Sequence, residues 1–486
     1  MTTNVRSDYP ALFWTLVGLV VLAPLPLGSV FAWSWALIAL VVGGLLLVWG
    51  ILVVIGAQHA TLGLQSTWFL VLPFAVAVVW ILAQALPITP ESWHHPLWAT
   101  AAEALETDIA GSVSLNPYQT MAHLVRLLTY AGIFWLALQY SRKTIRARQI
   151  LMALGYAGFA YAAYGLIVYA FDLKTVFFDN PAYEGSLTST FVNRNSYATY
   201  VGLGLVCVTA LILVTIAMRA NTVLAEMTRD LFTNVDKAHA THMAEPTLYN
   251  GAVLTRVVAG LTRADWFLAV MWICMVLALL FTHSRGGFLS VVVALVALVV
   301  VIAMTRTPHR GYAATAAIGA VVVVGVLFAL AGSGLESRLA SLTAASEERP
   351  RVYELTLSAI NDAPVLGTGY GTFEEVFRFY RTSDIHGYYT MAHSSYLENV
   401  LELGLPAAIA LFMVFGGFLY ITFRGIRVRR RDSVFACVGF AATVLVALHS
   451  AVDFSLQIPA VAATYALLMG AACGQSWSTQ RPKDTW

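Results

Sequence analysis

The sequence predicts an all-α, polytopic membrane protein of about 12 transmembrane helices with a large, partly helical outer loop. Of the 486 residues, 59% are hydrophobic and only 11% are charged, whereas soluble domains carry roughly a quarter charged residues. Mean hydropathy is +0.74. Apolar runs of about 20 residues, the length that crosses a bilayer, recur along the whole chain. The net charge of +2 does not suit a nucleic-acid partner, and none is expected. Cys207, Cys274, Cys437 and Cys473 all fall inside apolar runs without metal-ligand spacing, so they read as ordinary buried thiols. No short charged-apolar-small segment resembles a cleaved signal peptide, and the first apolar run is expected to be retained.

In chain order, spans are expected near 11–28, 31–56, 67–87, 118–140, 149–171, 191–217, 265–282, 286–304, 312–331, 399–423, 433–451 and 457–474. Pro24 and Pro26 soften the first boundary. Three domains follow. Residues 1–331 hold membrane helices one to nine with an inner loop at 218–264, residues 332–398 form an outer loop domain, and residues 399–486 hold the last three helices and an inner tail. Basic loops fix the orientation, because short inner loops retain Lys and Arg. With both termini inside, "SRKTIRARQ" (141–149), "TRTPHRG" (305–311) and "RGIRVRRRD" (424–432) lie on the inner side. Of the 28 Lys and Arg, those outside are Lys174, Arg194, Arg285, Arg338, Arg349, Arg351, Arg378 and Arg381, and Arg126 falls within a span.

The inner loop mixes charges and reads as a solvated, partly helical connector. His239 and His242 are i,i+3 neighbours there, but no further ligand accompanies them and no metal site is expected. In the outer loop, Val352, Leu355, Ala359 and Ile360 recur at helical spacing, which predicts an amphipathic helix over the membrane face. "VLGTGYGTF" then reads as a glycine-rich turn. Its G-x-G-x-G resembles a nucleotide loop only superficially, since no strand precedes it. No fixed-period repeat and no inverted pair of broken helices is visible. No small-xxx-small stripe marks one helix face, so a monomer is the expected state.

Polar residues converge at three equivalent boundaries. The sixth span opens with "STFVNRNSYATY", carrying Arg194 between Asn193 and Asn195. The eighth opens with "HSRGGFLS", carrying Arg285. The tenth follows "MAHSSYLENVLELG", carrying His393. All three helices run from outside to inside, so each presents unpaired N–H groups and a positive dipole end to the outer face. Ser284 and Ser394 or Ser395 are candidate N-caps, and Gly286 and Gly287 lack side chains that would hold a ligand off the backbone. A helix N-terminus bearing arginine suits phosphate, and two arginines at the outer leaflet point to a lipid-linked phosphate or diphosphate. Each arginine alone also fits an interfacial anchor whose stem snorkels to the headgroups. His393 alone fits a structural hydrogen-bonding role. Three clusters at matching helix starts favour a site, in which His393 suits a general base taking a hydroxyl proton. No acidic pair at metal-ligand spacing lies beside the clusters, so no obligatory metal and no cofactor is expected.

Further candidates are secondary. Arg126 follows His123 by one turn within the fourth span, where a charge costs roughly 2.5–3.5 kcal/mol on insertion scales. Asp453, in "HSAVDFSLQIP", faces the outer side and is a candidate partner for Arg126 or Arg285. Arg351, on the outer-loop helix, is a candidate to reach over the site.

These motifs carry a resemblance. "THSRGGFL", "STFVNRNSYATYVGL", "DAPVLGTGYGTF" with "AHSSYLENVLELGLPAA", and the closing "HSAVDFSLQIPAVAATYALLMG" resemble the O-antigen ligase and O-antigen polymerase superfamily of bacterial envelopes, over about residues 185–475. The resemblance implies a lipid-donor, GT-C-like glycosyltransferase of the bacterial inner membrane. It would move a glycan from undecaprenyl diphosphate to an acceptor sugar hydroxyl at the periplasmic leaflet. In ligases that acceptor is lipid A–core, and in polymerases it is another lipid-linked repeat unit. By the same resemblance Arg285 matches the arginine holding the diphosphate, Arg194 a second arginine, and His393 the residue activating the acceptor, with inverting displacement at the anomeric carbon. Ligase is placed ahead of polymerase because the outer loop is long and at least two arginines are present. An anion or lipid transporter is the competing class; it predicts polar residues near the midplane of several helices, whereas apart from Arg126 these spans are nearly free of charge and the functional-looking groups gather at the outer rim.

Overall fold

The computed structural model describes residues 9–173, 185–234, 255–306, 343–429 and 432–477. Among them every regular element is helical. Helix α1 spans Pro10–Leu22, α2 Ala32–Val54, α3 Trp68–Ala85, α4 Leu97–Leu105, α5 Pro117–Tyr140, α6 Thr144–Ala170 and α7 Arg194–Asn234. Helix α8 spans Arg263–Phe281, α9 Arg285–Arg306, α10 Thr343–Asp362, α11 Phe373–Tyr380, α12 Ser395–Val428, α13 Ser433–Ser450 and α14 Pro459–Ser476. Nine of the described helices are long and apolar enough to cross a membrane. The chain is an all-α, polytopic membrane protein.

Local chemistry sets the boundaries. Proline opens α1, α5 and α14 in the first turn, where its missing N–H costs nothing. Asn116 caps α5 by accepting the Gln119 N–H at 3.2 Å. Thr262 and Asp265 close a capping box on α8, and Asp265 also pairs with Arg219 of α7. The first expected span, 11–28, is cut back to the 13 residues of α1. Pro24 and Pro26 end the helix, and Gly28 turns the chain with φ 72°. Helix α7 runs well past the expected end at 217, so the inner connector begins as a continuation of that helix. The expected span at 312–331 and the pair His239 and His242 lie outside the described residues.

Helix α14 is the axis of the bundle. Every one of its residues is buried, and it packs most extensively on α5, then on α13, α12 and α6. A second, smaller core caps one end. Val352, Leu355, Ala359 and Ile360 are all buried, as their spacing requires, against Phe373, Val376, Phe377 and Leu401. The described residues of the expected loop domain, from α10 through α11 to the start of α12, therefore fold as a compact cap, and its core reaches past residue 398.

Helix α12 is two helices joined at Gly404, which has φ 73° and ψ 159°. Pro406 follows, lacking an N–H for the ladder. The leg 395–403 belongs to the cap, and the leg 405–428 to the bundle, so the expected start of the tenth span at 399 lies before the real break. A Cβ on Gly404 would strike the Val365 carbonyl, and this backbone region is essentially restricted to glycine. Gly404→Ala is expected to cost at least about 2 kcal/mol, read as a lowered melting temperature. Gly416→Ala, where the added Cβ meets nothing within 4 Å, is the control expected to hold or raise it.

Candidate active site

The starts of α7, α9 and α12 meet at one end of the bundle, around the turn 449–455 between α13 and α14. Arg194 and Arg285 are each the first residue of their helix. Ser284 caps α9, its Oγ accepting the Gly287 N–H at 3.2 Å. Asn193 does the same for α7, its Oδ1 accepting the Asn195 N–H at 2.7 Å. Ser394 precedes α12 but makes no side-chain cap bond. Ser395 instead donates to the Asp453 carbonyl at 3.1 Å. His283 and His393, each just before a serine that opens a helix, both adopt left-handed φ angles of 54° and 53°. For a non-glycine residue this backbone is uncommon and marks a constrained position.

Asp453 is the hub. It is fully buried, and its Oδ2 accepts from Asn195 Nδ2 at 2.5 Å while His393 Nδ1 stands 3.6 Å from the same oxygen. Oδ1 accepts from the Phe454 N–H at 2.9 Å and the Ser455 hydroxyl at 3.4 Å. Burial pushes the carboxyl up, but the facing His393, His449 and the Phe454 N–H outweigh it and hold it below its ordinary range. Asp453 is thus an anion beside His393. The expected partners Arg126 and Arg285 do not reach it. Arg126 lies on α5, on the far side of α14, and Arg285 is exposed at the start of α9.

The imidazole of His393 is wedged between Phe454 and Tyr389, with ring centroids at 4.9 and 5.9 Å. Its backbone is tied on both sides. Tyr353 donates to the His393 carbonyl at 2.8 Å, and the Ala392 N–H donates to the buried Glu398 carboxyl at 2.8 Å. Glu398 also accepts from Gln457, linking this loop to the one that carries Asp453. The "HSSYLENV" motif is therefore a brace that holds the histidine in its left-handed pose. Behind Asp453, His449 is buried with Nδ1 2.5 Å from Thr199 Oγ1 and 3.3 Å from Ser455 Oγ.

Arg285 is exposed and makes no ion pair or hydrogen bond among the described residues. Arg194 is half-buried and donates to Ser186 at 3.2 Å. The space beside the two glycines of α9 is filled by protein. A Cβ at Gly286 would meet Val452 at 2.9 Å and His449 at 3.5 Å, and one at Gly287 would meet Ala198 at 2.6 Å. They let α9 close on α7 and on the 449–455 turn, which brings Arg285 beside the hub.

Arg351 does not reach the site. It pairs with Glu354 at 2.8 Å and Asp384 at 3.1 Å on the exposed flank of α10. Arg349 does, donating to the Val452 carbonyl at 3.4 Å, with its charge acting on the Tyr353 and Tyr389 hydroxyls. Two residues apart on a helix, these arginines point to opposite flanks. Arg349 shares its flank with Val352, Tyr353 and Thr356, a spacing present in the sequence. Arg349→Ala is expected to lower activity roughly tenfold, while Arg351→Ala leaves activity and melting temperature close to wild type; a transfer assay on both variants checks it.

Three polar helix starts, a carboxylate–histidine pair and an open arginine thus share one place. Residues 270–412 match the O-antigen ligase family. This segment is of the O-antigen ligase superfamily. The match implies a glycosyltransferase-type enzyme acting on lipid-linked glycans in a membrane. No curated protein matches the chain. The O-antigen ligase segment contains Arg285, Arg349, His393 and Glu398, whereas Arg194, Asn195 and Asp453 lie outside it. The carboxylate that faces the segment's histidine is supplied by the turn before α14.

Proposed function

We propose that this protein is an O-antigen ligase-like glycosyltransferase of the bacterial inner membrane. It moves a glycan from undecaprenyl diphosphate to a sugar hydroxyl of lipid A–core at the periplasmic leaflet. The observation that carries this reading is the His393–Asp453 pair at 3.6 Å, on the turn against which the start of α9 packs, where Arg285 is exposed and has no polar partner among the described residues. Asp453 faces Nδ1, which leaves Nε2 to take the proton of the acceptor hydroxyl. The acceptor oxygen bonds to the anomeric carbon from the face opposite the leaving group. The bond from that carbon to the diphosphate oxygen breaks, with inversion, and undecaprenyl diphosphate departs. Arg285 and Arg194 at the positive ends of α9 and α7 stabilise the charge growing on it. The proton ends on His393 as an imidazolium balanced by Asp453.

The test incubates the purified chain with undecaprenyl-diphosphate glycan, with and without lipid A–core. Capping of the core supports the ligase reading. Lengthening of the donor glycan without added core would assign a polymerase. Arg285→Ala is expected to weaken donor binding by roughly 10–100-fold, the loss of a charge-assisted contact, together with transfer. Intact donor binding in that variant would remove Arg285 from the diphosphate.

A further inference from the structure

A second cluster of polar side chains lies on α5 and α2, apart from the site above. Arg126 is nine residues into α5, about 14 Å along its axis at 1.5 Å per residue. Its guanidinium stacks over Trp35 at 4.6 Å, and its Nη1 lies 3.4 Å from His123 Nε2. His123 Nδ1 faces the Gln119 carbonyl at 3.0 Å. A carbonyl only accepts, so Nδ1 carries the proton and Nε2 accepts from Arg126. His123 therefore orients the arginine and leaves its charge uncompensated. No carboxylate lies within ion-pair distance of Arg126 among the described residues.

The remaining donors there are also unmet. Arg126 Nε, Trp35 Nε1 and the Tyr130 hydroxyl are all buried, and none has a hydrogen-bond partner among the described residues. Arginine and tryptophan nitrogens only donate, and neither is hydrogen-bonded to the Tyr130 oxygen, which could accept. Each unmet buried donor costs about 1–3 kcal/mol, and an unpaired charge within a span roughly 2.5–3.5 kcal/mol more. Two donor-only nitrogens and a hydroxyl, with one positive charge and no carboxylate among the described residues, are complementary to an oxyanion carrying several acceptor oxygens. Beside it, Val125 and Leu128 of α5 and Leu37 of α2 are exposed, giving acyl or prenyl chains an apolar surface along the same helices.

We propose that Arg126, Trp35 and Tyr130 form a second anion seat that takes the phosphoryl headgroup of a membrane amphiphile. The seat opens on the same end of the bundle as His393, since His123 packs against Tyr370 and Gly371 of the cap. Helix α5 packs chiefly on α14, α2 and α3, and α14 separates it from α7 and α13. The seat is therefore a second place for a lipid phosphate, independent of the transfer chemistry at His393.

The test uses the full chain carrying Arg285→Ala, so that the site at α9 does not report. Binding of undecaprenyl phosphate and of phosphatidic acid is read by native mass spectrometry, with undecaprenol, diacylglycerol and inorganic phosphate as probes of each part. At least one phosphorylated lipid is expected to bind about tenfold more tightly than its phosphate-free counterpart. The stronger of the two identifies a polyprenyl or a glycerolipid source. Adding Arg126→Ala should abolish that preference, and adding Tyr130→Phe, which removes one hydroxyl and keeps the ring, should reduce it severalfold. Equal binding of the phosphate-free lipids would overturn the proposal. So would inorganic phosphate binding as tightly as the lipids, or a preference that survives both added substitutions.

Discussion

Replacing His393 with alanine is expected to cut transfer by about 10²–10⁴-fold, the range a positioned general base supplies, while donor binding stays close to wild type. The imidazole has Asp453 facing Nδ1 and makes T-shaped contacts with the rings of Phe454 and Tyr389. The donor phosphates are assigned instead to the arginines at the starts of α7 and α9. Alanine also removes a residue tolerated in the left-handed region, where a Cβ costs about 1–2 kcal/mol in most residues. His393→Asn separates the two effects. Asparagine tolerates that backbone but offers no imidazole to accept a proton, so this variant should fold like wild type and remain as inactive as the alanine variant. Activity near wild type in His393→Asn, or donor binding lost along with transfer in both variants, would make His393 a structural residue.

The parts of this site that were legible in the sequence are those written in local chemistry. Helical spacing placed Val352, Leu355, Ala359 and Ile360 on one buried face. The Ser-Arg-Gly-Gly stretch announced a capped helix start, and Ser284 does cap α9. What the sequence did not contain was the pairing across distance. Asp453 was visible as an outward-facing carboxylate, but periodicity says nothing about which of several polar neighbours it meets. Its partners are Asn195, 258 positions away, and His393, and both depend on how α13 and α14 seat against α7. The two arginines of α10 show the same limit at closer range. Arg349 and Arg351 look alike in a charge count, and only the helical phase against Val352 and Thr356 separates the one over the site from the one in surface ion pairs. The break in α12 was obscured because Gly404 and Pro406 lie inside an apolar run, where hydropathy reads a single span.

Asp453→Asn is expected to lower kcat by about 10²–10⁴-fold with the donor KM nearly unchanged. Asparagine matches the carboxylate in size and still accepts from Asn195, so the hub should keep its packing. What disappears is the charge that balances the imidazolium once the acceptor proton has reached His393, and in a buried setting that balance is worth far more than in water. A structural role would instead raise KM and lower kcat together, or disturb binding of the donor. The pH dependence of stability provides a second, independent reading. The Asp453 carboxyl in the folded chain lies below its ordinary value, so its contribution is fully present above the unfolded carboxylate value of about 3.9. It is lost as pH falls through the still lower folded value. The wild-type melting temperature should therefore exceed that of Asp453→Asn by a constant margin from pH 8 to pH 5, with the gap closing only in stronger acid. A gap that widens as pH falls from 7 to 5 would instead trace the stabilisation to a histidine that gains its proton beside Asp453.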